Sequence, residues 1–132
     1  MYVKTIIEKN MTNKNIDLAV AYYTAMGKKD ISGASIHLHS GIHLISPLAE
    51  LIGKETVLEA IKGFIASFRT IHIRVKLSNE DNAMLIIDVD YPAPIGLLRT
   101  ASLLTIQNSL ITRIELFHDA RRFERNNDKI LA

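Results

Sequence analysis

The chain has 132 residues, 48% of them hydrophobic and 23% charged, and 16 Lys and Arg against 14 Asp and Glu leave a net charge of +2. That describes one domain with enough apolar side chain for a sizeable core and too little charge imbalance to call for a nucleic-acid partner. Cysteine is absent, which excludes disulfides, thiolate zinc sites and cysteine nucleophiles, and no apolar run approaches the ~20 residues of a membrane helix.

Charges interrupt the N-terminus too early for a secretory h-region, so a cytoplasmic location is expected, with residues 1–12 as an arm before the domain proper. Thr12-Asn13 can cap a helix to Met26, since Ile16, Ala19, Val20, Tyr23 and Met26 recur at helical spacing, and Gly27 supplies the left-handed residue that ends it. Asp30 caps a shorter helix to about Leu38, with Ile31, Ala34 and Leu38 as its stripe. Gly41 breaks the pattern, and Ile42 to Ser46 reads as a strand stopped by Pro47.

Gly53-Lys54-Glu55 opens a third helix whose apolar face is Val57, Ile61, Phe64, Ile65 and Phe68. From Ile71 the period changes to two, with Ile71, Ile73, Val75 and Leu77 alternating with His72, Arg74, Lys76 and Ser78, as on a half-exposed antiparallel strand. Asn79 to Asn82 makes a turn, and Ala83 to Tyr91 the next strand. After the Pro92–Gly96 interruption come Leu97 to Gln107, the two-residue turn Asn108-Ser109, and a last strand, Leu110 to Phe117. Three helices followed by a four-strand meander predict an α+β fold, a single domain over 1–132 with its core at about 13–124 and a polar, solvated tail at 125–132.

Tyr22 to Ile31, the Ser46-Pro47 strand end, Gly53-Lys54-Glu55 opening a helix, and Ile114-Glu-Leu-Phe-His-Asp119 after a hairpin together resemble the nuclear transport factor 2-like superfamily, its SnoaL-like branch above all. The resemblance implies a cone-shaped, cystatin-like barrel. In it a curved antiparallel sheet, the meander plus the short first strand, wraps three N-terminal helices around an internal cavity. It also implies a homodimer formed through the sheet. Functions in this superfamily run from isomerases, polyketide cyclases and epoxide hydrolases to non-catalytic association modules, so fold alone decides none of them.

In the ketosteroid-isomerase frame Tyr22 keeps its helix position, while Ser46 stands where the base would be and Ala101 where a hydrogen-bonding acid would be. In the limonene-epoxide-hydrolase frame Asp88 and Asp119 match the two water-activating aspartates, but Ile86, His43 and Ile45 replace its arginine, tyrosine and asparagine. Neither mechanism carries over intact.

The isomerase frame turns Asp88, Asp90 and Ile86 on one strand, and Arg99 on its neighbour, toward the cavity. Carboxylates there would sit beside an arginine that neutralises them; the alternative places both in solvent at a strand end. His118 shares parity with Ile114 and Leu116 and so points inward on a regular strand, whereas the hydrolase frame prefers Asp119, and the two are rivals for one position. His37, His39 and His43 do not share a face that would gather them on a metal. The expected site therefore has walls of Tyr22, Leu44, Ser46, Ile61, Phe64, Ile86, Ala101, Leu103, Ile114 and Leu116, with Asp119 at its edge. Its reactive groups are His118 transferring a proton, Asp88 or Asp90 orienting it, and Arg99 stabilising negative charge. The expected partner is a small apolar molecule; no cofactor, metal, nucleic acid or membrane is expected. The competing expectation is an association module whose cone is filled by its own side chains and whose outward strand positions do the binding, among them Ile71, Ile73 and Val75 if these are not the inward set.

Overall fold

The computed structural model describes the backbone of residues 2–125 and the side chains of residues 13–123. Helix α1 spans Tyr2–Gly27, α2 Ile31–Ser35, β1 Leu38–Ile45, β2 Glu50–Ile52, α3 Lys54–Ser67, β3 Thr70–Ser78, β4 Asn82–Asp90, β5 Leu97–Gln107, β6 Leu110–Phe117 and α4 Arg121–Arg125. The N-terminal arm is thus a continuation of α1. The expected tail falls mostly on residues 126–132, outside the described residues.

The six strands form one curved, unclosed sheet in the order β2-β1-β6-β5-β4-β3. Neighbours are antiparallel except β1 and β6, because α3 carries the chain from the β1–β2 hairpin across to the opposite edge at β3. Helix α1 lies against β3 and β4, and α3 against β1 and β2, so both cover the same face of the sheet. Beneath them lies the core: Ile42 and Leu44 of β1, Leu85, Ile87 and Val89 of β4, Leu104 and Ile106 of β5, and Ile111 and Ile114 of β6, all buried.

Local chemistry fixes the joints. Asp30 accepts the Gly33 amide at 2.9 Å and caps α2. That helix ends at Ser35, and Leu38 belongs to β1. The left-handed residue after α1 is Lys29, at φ 63°, and not Gly27. Its ammonium donates to the carbonyls of Ile65 and Phe68 at the end of α3 and lies over the Phe68 ring, tying the two helices together. Asn108 and Ser109 both have positive φ, the geometry that a two-residue hairpin needs. Asn15 of α1 donates to the carbonyls of Asn79 and Glu80, pinning the helix over the β3–β4 turn.

A bulge at Arg74 breaks the simple alternation of β3: Ile73 pairs with Ile87, but Val75 pairs with Ile86. Ile71 and Ile73 consequently face the core, while Val75 and Leu77 turn to the outer face, and only Val75 of the three expected outward positions is outward. No helix among the described residues is long and apolar enough to cross a membrane.

Candidate functional site

The sheet's curvature leaves a cavity between its inner face and the helices. Tyr22, Tyr23 and Met26 reach it from α1, Leu44 from β1, Ile61 and Phe64 from α3, Ile87 and Val89 from β4, Tyr91 from the strand end, Thr100 from β5, and Ile114 and Leu116 from β6. Its free space is about 20 Å³, room for one ordered water or so. Among the described residues that line it there is no carboxylate, lysine, arginine or histidine; its polar atoms are hydroxyls.

Those hydroxyls differ in commitment. The Tyr23 hydroxyl is paired with the Ser102 hydroxyl at 2.6 Å deep in the core, and burial, partly offset by that bond, pushes the phenol up to about 12. The Tyr22 hydroxyl makes no hydrogen bond to the described residues. Burial, with Tyr23 beside it, raises the Tyr22 pKa well above the ordinary phenol value, so it stays a neutral donor through the physiological range.

Six of the expected wall residues, Tyr22, Leu44, Ile61, Phe64, Ile114 and Leu116, line this cavity. Ser46 does not: its hydroxyl accepts the amides of Leu48 and Ala49 and closes the turn between β1 and β2. Ile86, Ala101 and Leu103 face the opposite side of the sheet, because the inner parity of β4 belongs to Ala83, Leu85, Ile87 and Val89 and that of β5 to Leu98, Thr100, Ser102 and Leu104. The isomerase frame is displaced by one residue here, and a one-residue slip exchanges every side chain between the faces.

The same slip carries Asp88, Asp90 and Arg99 out of the site. Arg99 Nε donates to Asp88 at 2.9 Å and Arg74 Nη1 reaches it at 3.4 Å, a cluster on the outer face. The Arg99 bond, opposed by desolvation and helped by the nearby charges, lowers the Asp88 pKa; the carboxylate is an ion-pair partner and not a cavity base. The histidines are also separate: Nδ1 of His39 accepts the Gly41 amide, and His43 pairs with Glu50 at 2.7 Å. No group of three metal-ligating side chains converges among the described residues.

The rivalry at the end of β6 is resolved by the strand stopping at Phe117. Asp119 is on the surface, where its carboxylate accepts both the amide and the guanidinium of Arg121, which hold its pKa far down. His118 turns inward. Burial lowers its pKa, the Asp119 backbone and charge opposing in part, yet neither buried ring nitrogen meets hydrogen-bond geometry with any described residue.

Between His118 and the cavity lies a side chain that periodicity did not single out. Phe123, on α4, is 1% exposed; its ring meets Tyr91 edge-on at 5.3 Å and His118 edge-on at 5.7 Å. Arg122 Nη1 donates to the carbonyls of Ile95 and Leu97 and latches α4 to the loop before β5, so Arg122 is a structural clasp. Tyr91 and Thr100 were also missed. The available signal was the uninterrupted apolar parity of Ala83, Leu85, Ile87, Val89 and Tyr91, against the other parity ending in two aspartates.

No protein-family model matches the chain, and no curated protein matches it in sequence. Solved structures do. A protein from Kribbella flavida superposes with a TM-score of 0.82 at 22% identity, covering 88% of this chain and 95% of that one. An NTF2-like protein of unknown function from Cytophaga hutchinsonii gives 0.72 at 15% identity, covering 82% and 92%. A steroid delta-isomerase from Pseudomonas aeruginosa gives 0.70 at 14% identity, covering 83% and 82%. At these identities what is shared is the fold: this chain has the NTF2-like, cystatin-like α+β architecture that the sequence motifs implied.

Proposed function

We propose that this NTF2-like fold serves to bind a compact, neutral, mostly apolar molecule inside the cone. The observation that carries the reading is the composition of the cavity wall: apolar and aromatic on every side, with the Tyr22 phenol as a donor not engaged by the described protein atoms. A polar donor in an apolar wall favours a ligand that brings an acceptor, such as a ketone or an ether. A charged ligand would lose its hydration with nothing in the wall to replace it. Because the free space is so small, a ligand larger than a water or two needs the wall to rearrange.

Binding takes precedence over acid–base conversion, since the described lining residues include no histidine or carboxylate. An isomerase, cyclase or hydrolase version of this function rests on His118 alone. In thermal-shift measurements with a panel of neutral ketones and hydroxylated ring compounds, at least one compound raises the melting temperature of the wild type, since a ligand of the native state stabilises it by mass action. Tyr22→Phe weakens that ligand roughly fivefold. A panel without a single shift, or an affinity indifferent to Tyr22→Phe, refutes the reading.

A second reading is favoured by the outer face. Ile86 pairs with Ala101 and with Val75, Met84 with Leu103 and with Leu77, and Ala101 with Phe117, so these side chains form one continuous apolar area flanked by the Arg74–Asp88–Arg99 cluster. Phe117 is 54% exposed and Leu77 62%. A face of this kind fits association with a second copy of the chain, in the expected homodimer through the sheet. It is compatible with ligand binding on the other side.

A further inference from the structure

Phe123 and His118 together carry a statement about the ligand that the cavity wall alone does not. The Phe123 ring is buried, makes edge-on contacts with both Tyr91 and His118, and belongs to a helix of five residues that covers this end of the cone. The ring is part of the hydrophobic core, and polar bonds fasten its helix at the first turn. The bonds from Arg122 to the Ile95 and Leu97 carbonyls join it to the loop, and the Asp119–Arg121 bonds are local to its own first turn.

His118 is unusual in the opposite sense. Its two ring nitrogens are buried and neither meets hydrogen-bond geometry with a described residue, the Asp119 backbone acting on the ring only in part; a buried polar group without a partner costs free energy. The ring beside them is a benzyl group, which can neither donate nor accept.

We propose that Phe123 is an internal stand-in for the ligand, and that the molecule this site accepts is a phenol, a neutral aromatic ring bearing a hydroxyl. Such a ring displaces Phe123 and takes its edge-on place against Tyr91. Its hydroxyl donates to, or accepts from, a His118 ring nitrogen. Everything the Phe123 ring contributes by packing is retained, and the bond it cannot make is gained. A carboxylate or phosphate is disfavoured by the described surroundings, where Arg121 is taken by Asp119 and Arg122 by the loop carbonyls. This inference deepens the binding reading above and rests on it.

The test is matched-pair binding by calorimetry, phenol against benzene, to the full chain and its variants. In Phe123→Ala the place is vacated, and phenol is expected to bind roughly fivefold or more tightly than benzene. Adding His118→Leu erases that preference, whereas adding Tyr22→Phe leaves it. Equal binding of the two probes by folded Phe123→Ala overturns the proposal, as does a preference removed by Tyr22→Phe and not by His118→Leu, or no binding of either probe. These outcomes leave the cone reading to be judged by the wild-type ketone panel, so the two fail separately. Should Phe123→Ala not fold, Arg122→Ala keeps the ring and removes the latch; it is expected to bind phenol several-fold more tightly than wild type does, and an unchanged affinity overturns displacement of Phe123.

Discussion

The inner and outer faces of β4 and β5 are built from the same two strands, often from adjacent residues, and they have opposite fates. Leu85, Ile87, Val89 and Leu104 are buried under α1 and α3, while Met84, Ile86 and Leu103, one residue away in each case, are only half covered. Hydrophobicity does not separate them. What separates them is the supply of a cover: the described residues hold two helices long enough to roof one face and none for the other. The outer face borders its half-covered apolar centre with paired charges.

The contrast can be broken by substitution. The largest effect is expected from Ile87→Ala, which opens a void in a wall with no slack and costs about 3 kcal/mol of unfolding free energy. Ile86→Ala, the adjacent residue on the other face, costs the monomer well under that. Urea denaturation of both variants measures the difference, and comparable losses would mean that the two faces are equally packed.

A charge on the outer face acts on assembly. Leu103→Arg is expected to convert the proposed dimer to a monomer in size-exclusion chromatography with light scattering, with the circular dichroism spectrum unchanged. A wild-type chain that is monomeric at all accessible concentrations refutes association through this face.

The smallest effect belongs to the end of the cone where β6 stops. Burial depresses the His118 pKa below the ordinary 6.5, so the folded chain refuses a proton that the unfolded chain accepts. Above that pH both states are neutral and the group is silent; as pH falls below it, stability falls. His37, also depressed by burial, adds a loss of the same sign. The informative quantity is thus the difference between wild type and His118→Gln. The urea midpoint of the variant is expected to decline less between pH 7.5 and pH 5, and identical slopes would mean that His118 is solvated in the fold.

Much of the fold was legible because it rests on local rules. The period of α3, the Asp30 cap, the Asn108-Ser109 turn and the four long strands each follow from a few neighbouring residues. The cavity was legible where a residue's face is fixed by helical period, as for Tyr22, Ile61 and Phe64, or by a strand with one clearly apolar parity, as for Ile114 and Leu116. It was not legible on β4 and β5, where both parities carry large apolar side chains and the resemblance to known enzymes chose the wrong one. The bulge at Arg74 could not be read either, since it depends on how β3 registers with β4.

The sequence by itself determined the order of the three helices and the longer strands, the α+β class and the lack of charge imbalance, because propensity, period and turn chemistry act over a few residues. Only the tertiary structure decided which face of the sheet became the cavity, that Asp88 and Arg99 pair outside it, and that His118 lies behind Phe123. Those outcomes depend on which surfaces the helices have room to cover and on a ring that arrives from 32 residues further along the chain than Tyr91. No local pattern records a contact of that kind.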